Sequence, residues 1–335
     1  MASTINALTS GGGGLTMVGD ATGNLNIQSG GSTVVGVTST GVAVTGTLSA
    51  TGGVQNLVTG ICEGRLTLTS GTAVTTADVT GATTVYFTPY NGNRIALYDG
   101  TNWLTYAFTE RSLALGTLTT LTPYDVYIYN NSGTLTLEFL AWTNGTTRAT
   151  ALVLQDGVYV KTGATTRRYL GTFYTTATTT TEDSAAKRYL WNNYNRVVRK
   201  MQSALETADS WTYNTQTLRQ ANANTANQLN LFVGLVEDSV SAFIAAASRT
   251  LLANYRRYNA IGLNSTTALT QFGLDVQGAA NSQSVNSVSL YTYPTLGINY
   301  IAWLEAAEGG TTTTWLGDNG QPSIEQSGIS GSTTA

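Results

Sequence analysis

The feature that most constrains this chain is a period-two alternation of apolar and polar residues that recurs between residues 60 and 181. It is clearest in the segments RLTLTS and TLTLEFLAW, where every second side chain is apolar. Such alternation gives an extended strand one apolar face and one polar face. The segments recur roughly every ten residues with no helical pattern between them, which is typical of a β-sandwich or barrel.

Turn signals separate these strand-like segments. Asp99–Gly100 and Asp156–Gly157 are Asp-Gly pairs between apolar stretches, and Asn131–Gly133 separates two alternating runs. Asp, Asn and Gly tolerate the positive φ angles of tight hairpin turns. The sequence therefore predicts antiparallel strands joined by short turns.

The composition also favours a β-rich fold. Charged residues make up 10% of the chain, against about 25% in ordinary globular proteins. Uncharged Thr, Ser, Asn and Gly replace them, and β-branched Thr suits the pleated surface of a strand. We therefore predict a mainly β fold, with an N-terminal β-repeat shaft followed by antiparallel sandwich-like or barrel-like domains.

The charge distribution argues against several classes of partner. The chain has 16 basic and 19 acidic residues, a net charge of −3, and no block of Lys or Arg. Nucleic-acid binding needs a basic face, so we expect no nucleic-acid partner and no basic membrane-surface helix. No apolar run is long enough to insert across a bilayer. The N-terminus lacks a signal-peptide pattern, so we expect synthesis and assembly in a cytoplasm.

Histidine is absent from the sequence, and Cys62 is its one cysteine. These counts exclude an intrachain disulfide, a Ser-His-Asp triad and a His-containing zinc site. Cys62 lies beside Ile61 and the strand-like RLTLTS, which indicates a small apolar packing residue. We expect no cofactor and no metal, and only carboxylates remain as candidate catalytic groups.

Residues 1–59 read as a Gly-rich arm followed by a repetitive β shaft. From residue 15, units of roughly eight to ten residues carry alternating apolar residues and end in Gly-containing turns. The alternating residues are Leu25, Ile27, Val35, Val37, Val42 and Val44. One unit buries too little apolar surface to fold alone, so three chains would share one core, and we predict an intertwined homotrimer. The same composition also fits a low-complexity linker.

The chain divides into four predicted segments. These are the arm and shaft at 1–59, a sandwich-like domain at 60–181, a connector at 182–209 and a C-terminal β-rich domain at 210–335. The acidic start of the connector suits the first turn of a helix, but the aromatic residues after it follow neither period. A short helical turn and a bent strand therefore both remain open for this connector.

Residues 229–248 allow two interpretations. Leu229, Leu231 and Val233 alternate, and a second alternating run begins at Val240, which predicts a hairpin. Leu235, Val236, Val240, Phe243, Ile244 and Ala247 would instead share one face of a helix. We favour the hairpin because the polar break at residues 237–239 falls where a turn belongs.

Two parts of the chain resemble phage proteins. The units ending in GVAVTGTLSATGG resemble the shaft segments of phage tail-fibre and tail-spike proteins. The middle block resembles a family of poorly characterised phage and prophage structural proteins, through YNGNRIALYDGTNW, LTPYDVYIYNNSGT, LEFLAWTNGTTRATALVLQDGVYVKTG and KRYLWNNYNRV. The later WTYNTQTLRQANAN is also similar, and the likeness covers about residues 35–335. The resemblance implies a virion-associated role and brings no catalytic residues with it.

Adjacent carboxylates are the remaining catalytic candidates. Glu182 neighbours Asp183, and Glu237 neighbours Asp238. Glycoside hydrolysis needs two carboxyl groups facing one sugar, whereas neighbours on a strand point to opposite faces. We therefore expect solvated turn charges and no catalytic residues. Four further acidic residues are expected to stabilise turns beside Gly or Asn, namely Asp99, Asp125, Asp156 and Asp318.

Aromatic residues crowd the C-terminal region. They are Tyr291, Tyr293, Tyr300, Trp303 and Trp315. Aromatic faces stack on the apolar faces of pyranose rings, although most aromatic residues in β proteins are core or rim residues. We treat these five residues as candidate glycan or receptor contacts.

Together these features predict a structural component of a tailed-phage virion, assembled in the host bacterial cytoplasm. The leading hypothesis is a non-enzymatic homotrimeric tail fibre that projects from the particle and adheres to host surface glycans. Its N-terminal region would contact other virion proteins. A head fibre or capsid decoration protein is the first alternative, and a polysaccharide-degrading tail spike is the second.

Overall fold

A computed structural model describes residues 25–29, 32–38, 41–44, 59–203, 206–321 and 325–335 of the chain. The chain forms two compact units, Met1–Gln55 and Asn56–Ala335. Among the described residues there is no α-helix, and one 3-10 turn lies at Ala221–Ala223. The predicted mainly β fold is confirmed in this sense.

The first unit contains a small antiparallel sheet. Its strands are β1 (Leu25–Ser29), β2 (Ser32–Thr38) and β3 (Gly41–Val44), in that order across the sheet. Ile27 lies opposite Val35, and Val35 lies opposite Val44, so alternating apolar positions of successive repeats are in register. The predicted arm at 1–14 lies outside the described residues, and the intertwining of three chains remains a prediction.

The second unit is built from strands throughout. They are β4 (Gly64–Thr67), β5 (Val79–Ala82), β6 (Thr84–Pro89), β7 (Arg94–Tyr98), β8 (Trp103–Ala107), β9 (Arg111–Ala114), β10 (Pro123–Asn131), β11 (Thr134–Asn144), β12 (Thr147–Arg148), β13 (Leu152–Gln155), β14 (Val158–Lys161), β15 (Ala164–Ala177), β16 (Thr180–Asp183), β17 (Lys187–Arg188), β18 (Leu190–Asn192), β19 (Val198–Gln202), β20 (Ser210–Thr212), β21 (Arg219–Gln220), β22 (Gln228–Val233), β23 (Val240–Thr250), β24 (Arg256–Leu263), β25 (Gln271–Val276), β26 (Ser284–Thr292), β27 (Gly297–Ala307), β28 (Thr313–Leu316) and β29 (Gly328–Thr334).

Four sheets organise these strands over the described residues. The largest has 15 strands and follows the order β12-β11-β10-β15-β16-β17-β22-β27-β24-β25, with β5, β13, β14, β18 and β21 attached to this path. A six-stranded sheet follows the order β19-β29-β23-β28-β20, with β26 paired to β23. Two small sheets are β4-β6-β9 and β7-β8. The 15-stranded sheet crosses the predicted boundaries at residues 181 and 209, which both lie inside one compact unit.

The connector consists of short strands separated by bends among its described residues. It contains β17, β18, β19 and the end of β16, and the helical-turn alternative is wrong. Strand β16 continues the sheet from β15, and β17 pairs in parallel with β22, placing Arg188 opposite Leu231. The connector therefore carries the large sheet from the first half of the unit into the second half.

Residues 229–248 form two strands that do not pair with each other. The helical alternative is wrong, and the favoured hairpin is wrong as well, because β22 pairs with β17 and β27 whereas β23 pairs with β26, β28 and β29. Leu229 and Leu231 of β22 nevertheless share one buried cluster with Val240, Ala242 and Ile244 of β23. The two apolar faces meet across a core between two sheets, which alternation alone does not distinguish from a hairpin.

Three predicted turns close antiparallel strand pairs. Tyr98 lies opposite Trp103 around the Asp99 turn, and Gln155 lies opposite Val158 around Asp156–Gly157. Asp156 and Gly157 have φ angles of 51° and 83°, the left-handed pair that a two-residue hairpin loop requires. The turn between β10 and β11 at residues 131–133 is likewise formed.

Candidate functional site

The two candidate tryptophans are core residues. Trp303 and Trp315 are fully buried. The indole nitrogen of Trp303 donates to Asn259 Oδ1 at 3.0 Å, and that of Trp315 donates to the carbonyl oxygen of Tyr213 at 3.1 Å. Both polar groups are satisfied inside the protein, so neither side chain is available to a ligand in this structure.

The three candidate tyrosines lie on different elements. Tyr291 on β26 is 76% exposed and Tyr293 just beyond it is 62% exposed. Tyr300 on β27 is partly buried beside a cluster that contains Leu304. The structure does not bring the five candidates together, and a glycan contact remains a prediction for the three tyrosines.

Glu182 and Asp183 are committed to separate ion pairs. Asp183 is buried and accepts from Arg188 at 3.2 Å and from Arg199 at 2.8 Å. Glu182 accepts from Lys187 at 3.1 Å. Burial raises the pKa of Asp183, and the two guanidinium groups oppose that rise. The two carboxylates hold the fold of the connector and do not face one common space.

Glu237 and Asp238 both contact Arg196. Their carboxylate oxygens lie 2.7 and 3.1 Å from the guanidinium. Both acidic residues lie in the link between β22 and β23, and the expectation of turn charges agrees with this position. Arg196 balances one of the two negative charges, and both carboxylates remain partly exposed to solvent.

Asp125 is the centre of a buried network that the sequence did not reveal. It lies within β10 and not in a turn, which corrects the expectation for this residue. Its carboxylate accepts from Arg148 Nε at 2.8 Å and from Thr172 Oγ1 at 2.7 Å. Arg148 also donates to the hydroxyl of Tyr169 and the carbonyl of Gly234. Burial raises the pKa of Asp125, opposed by Arg148 and Thr172.

The other predicted turn aspartates do act in turns. Asp99 Oδ1 accepts two backbone N–H groups of its own turn, at 2.7 Å each. Asp156 Oδ2 accepts from the indole of Trp103 at 2.9 Å, and Asp318 Oδ1 accepts from the backbone of Gly320. Within the described ranges, no group of three or more Asp, Glu or Cys side chains is arranged to hold a metal ion.

Cys62 is a buried packing residue. Its Sγ contacts the carbonyl oxygen of Gly64 at 4.0 Å, and it belongs to the apolar cluster that contains Leu66. Burial raises the pKa of the thiol to about 11. At that pKa the thiolate is scarce at neutral pH, so this cysteine lacks the electronic state of a nucleophile.

One exposed sheet surface is made mainly of apolar and small residues. We call it the outer sheet face, defined by the register of β23 and β26 as Ser241, Phe243, Ala245, Ala247, Val285, Ser287, Ser289 and Tyr291. Phe243, Val285 and Tyr291 are exposed, and small residues surround them. The opposite face of the same strands is buried through Ala242, Ile244 and Leu290. This surface offers apolar contact area, and its charged neighbours on the same side of the sheet are the exposed Arg249 at the end of β23 and Lys200 on β19.

A groove lies on the face of β24 and β27 that carries Tyr258 and Ala260, opposite the face that carries Arg257 and Asn259. It encloses about 400 Å³. Ala260, Ala306 and Tyr258 lie on the paired strands and form its floor, and Leu269 and Phe272 also line it. Gln216, Arg256 and Glu308 contribute its polar groups. It combines aromatic and polar side chains on paired strands, which is the composition of many small-molecule sites.

The alternation of polar and apolar residues in β24 predicts the wrong buried face and so does not predict this groove. In RRYNAIGL the polar Arg257 and Asn259 are buried, and Tyr258 between them faces the groove. Arg257 is held by Asp275 and by the carbonyl of Ser248, while Asn259 accepts from Trp303. Alternation predicts that Arg257 and Asn259 face solvent. They face the interior instead because Asp275, Ser248 and Trp303 bind them there.

Comparisons with known proteins give no family. No protein-family model and no curated protein matches the chain. Among solved structures it is similar to the insecticidal delta-endotoxin Cry8Ea1 of Bacillus thuringiensis, at 8% identity over 82% of this chain, with a TM-score of 0.25. It is also similar to a structure of infectious bursal disease virus, Gx strain, at 12% identity over 77% of this chain and 69% of that one, again with a TM-score of 0.25.

These likenesses are distant. The chain spans about half of the endotoxin, 52% of its length. At these identities and TM-scores, neither protein bears on the function of this one. In the part of the chain that the structure describes, no helix has the length and apolarity needed to cross a membrane.

Proposed function

We propose that this protein is a non-enzymatic structural component of a tailed-phage virion, a homotrimeric tail fibre that projects from the particle. The middle block that resembles phage structural proteins supports the virion role. The outer sheet face is the observation that carries the assembly role. A surface with exposed Phe243, Val285 and Tyr291 among small residues is typical of a protein–protein contact.

A second copy of the chain is the partner that best fits this surface. Its small Ser and Ala residues let another surface approach closely, and its exposed aromatic residues provide the apolar area that association needs. The aligned repeats of β1, β2 and β3 offer a further contact between copies, since their short strands bury little surface by themselves. The N-terminal region would also contact other virion proteins.

The proposal that the protein is not an enzyme rests on its acidic residues. Both candidate carboxylate pairs are engaged by basic side chains, Asp183 by two arginines and the Glu237–Asp238 pair by Arg196. A glycosidase would need one carboxyl to donate a proton and another to attack or to activate water. Glu182 and Asp183 bind different basic residues, and Glu237 and Asp238 both bind Arg196, so in neither pair are two carboxyls free to act on one sugar.

The assembly proposal predicts the mass of the protein in solution. A trimer of the 35.2 kDa chain has a mass of about 106 kDa by light scattering. Replacing Phe243, which is 44% exposed, with Glu introduces a charge into the outer sheet face. We expect Phe243→Glu to raise the trimer dissociation constant at least tenfold, or about 1.4 kcal/mol.

Leu104→Glu is the matched control for this prediction. Leu104 is 42% exposed and lies on β8, away from the outer sheet face. It should leave the trimer intact. A wild-type protein that remains a 35.2 kDa monomer would contradict the trimer, and equal effects of the two substitutions would contradict the assignment of the surface.

A further inference from the structure

The groove beside β24 carries an inference about ligand binding. Its floor is fixed because β24 is paired on both sides, with β27 over Arg257–Leu263 and with β25 over Arg256–Ile261. Ala260 and Ala306 are small, so space remains above the sheet at this point. The strand-borne floor of the site is therefore preformed, which lowers the ordering cost of binding.

Two aromatic side chains border this space. Tyr258 is partly buried in the floor, and Phe272 is 53% exposed on the neighbouring edge strand. Phe272 lies opposite Ala260 in the register, so its ring stands beside the small floor residue. Together with Leu269, these rings offer an apolar surface of the size of a sugar ring.

The polar groups of the groove carry no net charge. Arg256 and Glu308 form a pair at 3.5 Å, and the backbone N–H of Arg256 donates to Glu308 at 3.0 Å. The side chain of Arg256 remains 55% exposed, which leaves guanidinium donors available. The side-chain amide of Gln216 donates to the carbonyl of Glu308 and keeps its own oxygen as an acceptor.

The geometry points to a binding site for a neutral oligosaccharide in this groove. Sugars present apolar C–H faces that stack on aromatic rings, and hydroxyl groups that bind planar side chains such as guanidinium, carboxylate and amide. One cation paired with one anion matches a ligand without net charge and disfavours acidic polymers. This inference adds an adhesive role to the proposed tail fibre and rests on that proposal for its biological meaning.

The test measures sugar binding by the purified full chain. Isothermal titration and saturation-transfer NMR would be run with maltotriose, cellotriose, mannotriose and triacetylchitotriose, and with a galacturonic acid trimer as an acidic comparison. We expect at least one neutral trisaccharide to bind and the acidic trimer to bind more weakly. Phe272→Ala should weaken that binding at least tenfold, and Glu308→Gln should weaken it as well.

Leu104→Ala is the matched control for the groove. Leu104 is 42% exposed on β8, in a different sheet, and does not line the groove, so affinity should stay within about twofold. Tyr291→Ala tests the rival surface. No binding of any neutral trisaccharide, tighter binding of the acidic trimer, or loss of binding with Tyr291→Ala but not with Phe272→Ala would overturn the inference.

The binding test and the test of the proposed function fail independently. Trimer mass and location on a phage particle concern the outer sheet face and the virion role, whereas the titration concerns the groove. If the protein is a trimer on phage particles but Phe272→Ala does not change its affinity for sugar, the groove assignment is wrong and the virion role is unaffected. If the groove binds sugar but the protein is absent from phage particles, the virion role is wrong and the groove assignment is unaffected.

Discussion

Several buried charges in this molecule are held by residues of other strands. Asp125 binds Arg148, and Arg257 binds Asp275 after a turn that separates two strands. Arg65 is buried and donates to the carbonyl oxygens of Asn195 and Ala335. Burial lowers the pKa of Arg65 to about 10, with Arg199 adding to the effect. Such charges cost solvation energy and remain tolerable only while their partners stay in place.

The Asp125 network gives a stability prediction. Asp125→Asn leaves the guanidinium of Arg148 buried without its counter-charge, so we expect the free energy of unfolding to fall by about 3 kcal/mol at pH 7. Urea unfolding at a fixed protein concentration measures it. Glu138→Gln is the control, because its pairs with Lys161 and Arg167 are partly exposed and should be worth about 1 kcal/mol or less. Equal losses of unfolding free energy in both variants would contradict a larger contribution from the buried Asp125 network than from the partly exposed pairs of Glu138.

Glu110 gives a prediction about pH. Burial acts to raise its pKa, but hydrogen bonds from Ser70, Thr88 and the backbone of Gly71 outweigh it, and the pKa lies below its ordinary value. A carboxyl with a lowered pKa adds stability above its unfolded pKa of about 4.3 and loses it as pH falls through the folded pKa. The free energy of unfolding of Glu110→Gln, measured with urea, should therefore be lower than that of the wild type at pH 7. The difference between the two proteins should shrink toward pH 3. A difference that stays constant from pH 7 to pH 3 would contradict a stabilising role for the charged Glu110 carboxylate.

At the scale of elements, local turns were predictable and sheet membership was not. The Asp156–Gly157 hairpin follows from two adjacent residues that adopt positive φ. Pairing of β19 with β29, which places Val198 opposite Thr334, joins segments more than a hundred residues apart. Period-two alternation reports which face of a strand is buried, and it contains no information about which sheet the strand joins.

Burial of the candidate aromatics was partly readable from their neighbours. Trp303 lies in IAWLEAA, a nearly continuous apolar run typical of a strand buried on both faces. Tyr291 follows Ser287, Ser289 and Leu290 in an alternating run that leaves one face exposed. The groove residue Tyr258 could not be found this way, because its polar neighbours are buried by partners elsewhere in the chain.

The link between β22 and β23 gives a prediction at this scale. Gly234 lies where the chain leaves one sheet for another, and a Cβ there would come within 2.3 Å of the ring of Trp191. Gly234→Ala should lower the free energy of unfolding by about 1–3 kcal/mol through overpacking. Gly278→Ala is the control, since open space surrounds that position and its effect should stay within about 1 kcal/mol. A Gly234→Ala protein as stable as the control would mean that the chain crosses between the sheets differently.

At the scale of the whole molecule, the sequence predicted a β-rich protein and the structure confirms it. The composition favours strands because uncharged Thr, Ser, Asn and Gly replace most surface charges. The position of the exposed surfaces could not be predicted, because the outer sheet face and the groove arise from the pairing of β23 with β26 and of β24 with β25 and β27. Assembly into a trimer and attachment to a particle remain proposals.

The most direct test of the virion proposal is to locate the protein on purified phage particles. Particles produced from a lysogen that carries the gene would be purified by density gradient and labelled with a gold-conjugated antibody against the purified chain. We predict gold at the tail fibres of intact particles. Gold on the head would replace the tail fibre with the head-fibre or decoration alternative, and particles without label, beside free protein in the lysate, would contradict a virion role.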